Sequence, residues 1–292
     1  MNMNPSRVFT ALFALVGVLL IAGALVLRLG VEPRVMRISY ESGGSGRYIG
    51  TLVIPDADPG IGGATSELAI EAQASAEVLS LSGDTAIVET HTEIFTVPRS
   101  SEVPMQVDRH IYAVNRQDYG QAPAVGDTLV EDQRGAYVIG FPPDAKLERL
   151  FVYDSATQQA QPLTFEGTTA LDGRTMNRLR VDVTAALKDP AVLEQVRGSL
   201  GQKFGTDGTA IPKAALAVLG VPAAIITRMP DQIPVSYMQH TVADLLVDRR
   251  FGTIVDTKRI TILTANIEVA GEKRPITLSA TTVQASDELV SS

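Results

Sequence analysis

Leu171-Asp172-Gly173-Arg174-Thr175-Met176-Asn177-Arg178-Leu179-Arg180-Val181-Asp182-Val183 is the stretch whose reading decides the fold. Leu179, Val181 and Val183 alternate with Arg178, Arg180 and Asp182, the period-two pattern of a strand with one wet face. The Asp-Gly pair in front of it is a strong hairpin signal. Working outward, further strands are predicted over Thr85–Val97, Met105–Arg116, Tyr137–Phe141, Arg149–Tyr153, Gln161–Phe165, Pro234–Asp248, Thr253–Val269 and Pro275–Val283. These runs are rich in Val, Ile, Thr, Phe and Tyr and are bounded by turn residues.

The middle of the chain has another period. Asp189-Pro190 pairs an N-cap residue with proline at the first helical position. Val192, Leu193, Val196 and Leu200 then recur at helical spacing, predicting an amphipathic helix over Asp189–Lys203. Pro212 opens a second short helix that Gly220 and Pro222 end. The expected fold class is α+β: an N-terminal membrane helix, then a curved, mostly antiparallel sheet over 48–284 packed by a central helical pair within 189–227. Val192, Val196, Leu200, Leu216, Leu219, Ile225 and Ile226 are the candidate lining of an apolar cavity or core. Core packing alone accounts for them, since burying each stabilises by about 1.5–3 kcal/mol.

At the front of the chain, Val8–Leu27 is an uncharged apolar run between Arg7 and Arg28. At 1.5 Å per residue it reaches about 30 Å, the hydrocarbon thickness of a bilayer. A cleaved signal peptide competes with an uncleaved signal anchor, because Ala22-Gly23-Ala24 has the form of a cleavage exit. The run continues through Leu25, Val26 and Leu27, so the anchor is the favoured reading. It leaves residues 1–7 in the cytoplasm, 28–47 as a neck and flexible linker, and the β-rich domain outside the cytoplasm. Residues 285–292 read as a polar tail. Thr10, Ala14 and Gly17 include the small-xxx-small spacing that lets a second membrane helix approach closely, so self-association through this helix is an alternative role.

Composition narrows the function. There is no cysteine, so disulfides and thiolate metal sites are excluded. The net charge of −8 argues against a nucleic-acid partner. Nucleophile elbow, phosphate loop and dinucleotide fingerprint are all missing. His91, His110 and His240 lack metal-binding spacing, although His91 and His110 could face each other from adjacent strands. Glu89 and Glu93 share the strand face of His91 and read as a solvated surface. Val107-Asp108-Arg109-His110 and Val247-Asp248-Arg249-Arg250 echo one another, as two similar hairpins would. No cofactor or metal is expected, and the chain reads as non-enzymatic.

The apolar span and its basic neck, with Val107-Asp108-Arg109, Tyr112-Ala113-Val114, Tyr137-Val138-Ile139-Gly140-Phe141-Pro142, Tyr153-Asp154 and Val247-Asp248 through Gly252-Thr253-Ile254-Val255, resemble the PorA-like family of actinobacterial envelope proteins. The resemblance implies a membrane-anchored envelope protein, and the family name comes from a channel-forming member. Members often close with a second span, whereas residues 284–292 here are polar. Phe165-Glu166-Gly167-Thr168, Leu171-Asp172-Gly173-Arg174 and Leu179-Arg180-Val181 are similar, more loosely, to exported lipoprotein-carrier half-barrels, whose curved sheets enclose acyl chains. Together these make membrane lipid, or another apolar envelope component, the expected partner. The alternative is a channel-associated, porin-like subunit.

Overall fold

The computed structural model describes residues 37–55, 65–99, 101–143, 145 and 147–286. Asp172 and Gly173 both take positive φ, 50° and 74°, and close the predicted hairpin between β7 (Thr164–Leu171) and β8 (Arg174–Ala186). Before it come β1 (Gly44–Pro55), β2 (Thr65–Ser82), β3 (Thr85–Thr96), β4 (Gln106–Asn115), and the small hairpin β5 (Phe151–Asp154) and β6 (Gln159–Pro162). After it come helix α1 (Pro190–Phe204), β9 (Ala210–Pro212), the single turns α2 (Ala215–Val218) and α3 (Ala223–Ile226), then β10 (Gln232–Asp248), β11 (Ile254–Val269) and β12 (Glu272–Ala285). Ten strands form one sheet in the order β4-β3-β2-β1-β12-β11-β10-β8-β7, with β9 beside β10, and every pairing is antiparallel.

The packed clusters lie on one face of this sheet, and the other is more open, although Glu71, Ile87 and Ala113 are buried on it. Ala265, Ile267 and Val269 of β11, with Ile233 and Tyr237 of β10, pack under α1 and α2. Leu179, Val181, Ala243, Leu245 and Val247 pack under Phe141, Leu150 and Leu163. Val78, Ala86, Val88, Tyr112 and Val114 form a third cluster with Ile38, Tyr119, Val138 and Tyr153. The segment between β4 and β7 therefore bridges the two ends of the sheet across its inner face. On the outer face, Arg47 at 2.5 Å and Arg99 at 3.1 Å cover Glu71. The hydrogen bond from Arg47 leads in holding the Glu71 carboxyl down at about 2.

Helix α1 forms as its sequence dictates. Asp189 accepts a hydrogen bond from Val192 N at 3.0 Å, Pro190 sits in the first turn, and Gly205 ends the helix at φ 66°. The second, short helix also forms, as α2, starting at Ala215 and ending before Gly220, and a further four-residue turn, α3, follows it. Pro212 ends β9, paired with Gln232, and Gly220 at φ 73° with Pro222 breaks the rest.

Three expectations change. The Gly-Ser stretch read as linker is already β1 from Gly44, because Gly44 and Gly46 pair with Ala76 and Ala74 and ladder bonding outweighs poor strand propensity. Tyr137–Phe141 forms no strand and makes only a bridge from Tyr137 to Val152. The echoed motifs are not two hairpins: Val107–His110 lies within β4, whereas Asp248–Gly252 turns between β10 and β11. The predicted span 8–27 and most of the tail 285–292 lie outside the described residues. Among the described residues no helix is long and apolar enough to cross a membrane.

Gly50 marks where the coiled sheet is tightest, since a Cβ there would lie 1.9 Å from Thr282 O of β12. Gly44, in the same strand, has nothing within 4 Å of that position. Gly50→Ala should lower stability by about 1–3 kcal/mol in a denaturant titration. Gly44→Ala should be neutral or slightly stabilising; equal effects would show that β1 is not pinched at Gly50.

Candidate functional site

Along β11 the inward side chains change character in order. Arg259, Thr261 and Leu263 are half-buried, and Ala265 is fully buried. At about 3.3 Å per residue, Arg259 and Leu263 stand roughly 13 Å apart. Their partners on β10 are Ala243, Thr241, Gln239 and Tyr237, so the gradient belongs to β11 and is not repeated on its neighbour. The inner face thus runs from charged through hydroxylated to apolar within one strand.

On the other half of the sheet the inner floor is made of small side chains. Gly44, Ala76, Thr90 and His110 form one row across β1–β4, and Gly46, Ala74, Thr92 and Asp108 form the next. Burial pushes the Asp108 carboxyl up, opposed by Gln106, His110 and Arg259, and reinforced by the charge of Asp189. Charges from β4, β11 and the start of α1 therefore act on this one carboxyl.

A polar wall completes the trough. His110 Nδ1 lies 2.5 Å from Glu131 Oε1, and that hydrogen bond raises the imidazole above its ordinary value. Tyr112 stacks on His110 at 6.2 Å and meets Tyr153 edge-on at 5.8 Å. Burial, with Glu131 nearby, pushes the Tyr153 phenol up to about 12, and burial pushes Tyr112 higher still. Asp154 Oδ2 accepts from Gln239 Nε2 at 2.8 Å and from Arg259 Nη2 at 3.1 Å. Its Oδ1 accepts from Thr157 N at 3.0 Å. Arg259 is thereby fixed in place with its side chain 43 % exposed.

The predicted lining residues come together, but as packed core. Val196, Leu200 and Leu216 are buried in the cluster under α1, and Val192, Leu219, Ile225 and Ile226 pack half-buried against it. Leu263, Ile276 and Leu278 join them from β11 and β12. Near α1, a hollow of about 540 Å³ is lined by Lys188, Leu193, Glu194, Arg197 and Asp207 instead. Thr10, Ala14 and Gly17 lie outside the described residues. His91 and His110 do not meet: register pairs His91 with Arg109 and Thr90 with His110, so the two histidines point to opposite faces. His91 pairs with Glu93 at 3.3 Å and His240 with Asp182 at 3.0 Å. Among the described residues no three His, Asp or Glu side chains converge as a metal site. Arg259, Asp154, Gln239 and Glu131 were not legible as site residues, because only the coiling of the sheet brings them together.

The fold and this trough define a one-layer antiparallel β-protein with a half-covered, amphipathic inner face. The chain belongs to the porin PorA family, whose model matches residues 9–292. No curated protein matches it. Among solved structures it is similar to LprF from Mycobacterium bovis, at 11% identity over 88% of each chain and a TM-score of 0.16. It is also similar to an acyl-ACP thioesterase from Bacteroides thetaiotaomicron, at 8% identity over 91% of this chain and 88% of that one, with a TM-score of 0.15. Likenesses at this level carry no functional argument.

The His110–Glu131 pair makes stability depend on pH with a definite sign. A raised folded-state pKa gives stabilisation that is full below the unfolded value of about 6.5 and is lost as pH rises through the folded value. Thermal unfolding between about pH 5 and 9 should show this loss, worth about 1 kcal/mol for a partly exposed charged hydrogen bond. Glu131→Gln should flatten the step; an unchanged profile would exclude the pair as its source.

Proposed function

We propose that this chain is a non-enzymatic envelope protein, anchored by residues 8–27 with its β-domain outside the cytoplasm, that holds a membrane lipid or similar amphipathic envelope component in the trough. Membership of the porin PorA family supports the envelope location. The observation that carries the ligand reading is the gradient Arg259–Thr261–Leu263. An acyl chain would lie against Leu263, Ile225 and Ile226, and a polar head would meet Arg259 and His110. Half-buried apolar side chains in a concave face, with few converging polar groups, are the usual makeup of a ligand site.

A porin-like role is the second reading, favoured by the family's description and by the hydroxyl-lined middle of the trough at Thr241, Thr261 and Thr281. Association through Thr10, Ala14 and Gly17 belongs to that reading. It would bring several copies together around one path.

Native mass spectrometry of the full chain, released gently from its own membrane, separates the two. Thr261→Phe fills the trough from a half-buried position while leaving the buried clusters untouched. The wild type should carry lipid, and the variant about tenfold less at equal thermal stability, as a loss of about 1.4 kcal/mol in binding would give. A lipid-free wild type would sink the carrier reading. Conductance steps in a planar bilayer, reduced by the same substitution, would establish the porin-like one.

A further inference from the structure

The two edge strands of the sheet are treated differently. Along β4, Glu131 N–H donates to Ile111 O, Ala122 N–H donates to Ala113 O, and Gln121 bridges Val114, so the chain itself occupies that edge. Only the first residues of β4 stay open, and there Asp108 and Arg109 place charges that oppose strand addition. β7 has no such cover among the described residues. Its ladder is with β8, and among the described residues no other backbone hydrogen bond reaches it.

Six of the eight residues of β7 are exposed. Gly167-Thr168-Thr169-Ala170-Leu171 carries neither charge nor proline, the usual protections of an edge. The strand's one charge, Glu166, is held by Arg178 of the same chain at 3.5 Å. A bulge between Phe165 and Gly167 confines the regular edge to the five uncharged residues. Such a row of N–H and C=O groups is matched along its length by another extended strand.

Which strand follows from the other edge. Head-to-tail addition of β7 to β4 of the next copy is blocked by the chain that already covers β4. The free edge that a second copy offers is its own β7. We infer that β7 is a homodimer edge, with residues 167–171 of two copies pairing antiparallel about a two-fold axis near Thr169. The contact is isologous and closes as a pair, which explains how an unprotected edge avoids building fibres. A Thr169–Thr169 cross-strand pair favours this register, and no like charges are brought opposite each other. The inference is independent of what the trough binds.

The absence of cysteine makes the test clean. Single substitutions Thr168→Cys, Thr169→Cys and Ala170→Cys would be oxidised in the full chain in its own membrane, with Val107→Cys on β4 as control. Directly opposed strand residues have Cα atoms about 4.5–5.5 Å apart, within disulfide reach. A disulfide-linked homodimer should form at the one β7 position on the axis, expected to be 169, and not at 107. Adding Thr168→Lys to Thr169→Cys should abolish it, and adding Ala14→Ile should leave it unchanged. No dimer at any β7 position, an equal yield at 107, loss on Ala14→Ile, or a crosslink to a different protein would each overturn the inference.

Discussion

Side chains on a strand alternate strictly, and in this molecule a single sheet is packed mainly on one face. Every residue of the central strands must therefore suit either the inner or the outer environment, and a slip of one position would exchange them all. Ala265 and Ile267, fully buried against α1, fix the parity of β11. With those two inside, Arg259 and Thr261 have to face inward as well, and Ile260 and Ile262 outward, whatever their own preferences. The trough and its gradient are consequences of that constraint. The helices bury the apolar end of the inner face, the β4–β7 segment bridges the other, and the half-covered stretch lies between.

The same constraint explains how much was readable beforehand. Asp172-Gly173 and Asp189-Pro190 act locally, through left-handed backbone and a side-chain cap, so the turn and the helix start were legible. β8 was legible because its parity and its polarity agree. β1 was hidden by Gly44-Ser45-Gly46, residues with little strand preference whose place is set by pairing with Ala74 and Ala76. The second predicted helix starts late, at Ala215, because Pro212 is taken into β9, and it ends before Gly220 as its sequence implies. The seven predicted apolar residues did gather, being a helix face and its neighbours. Arg259, Asp154, Glu131 and His110 are up to 149 residues apart in the chain, and no local pattern links them.

Charges inside the trough are arranged in unequal company. Asp154 is tied to Arg259, Gln239 and Thr157, and Glu131 to His110, so these carboxylates hold structure together. Asp108 has Gln106 on its own strand, and its raised pKa records burial that those neighbours do not fully offset. The outer face shows the opposite case at Glu71, where two guanidiniums hold a carboxyl down. One carboxylate thus serves as a fastening for the sheet, while the other keeps its electrostatic demand unmet within a space lined by glycine, alanine and threonine.

The sheet order also sets a sequence of events. β1 and β12, at opposite ends of the described chain, lie side by side in the middle of the sheet, joined over Tyr48–Val53 and Ala280–Ala285. Two meanders, β1–β4 and β7–β12, can each form from near neighbours, but they become one sheet only when the last strand meets the first. That contact carries the largest loop closure in the molecule, and such closures slow folding. For a chain that emerges N-terminus first, the first half must wait with β1 as an open edge until the C-terminal strand arrives. A chaperone acting on this protein would find its substrate in that interval.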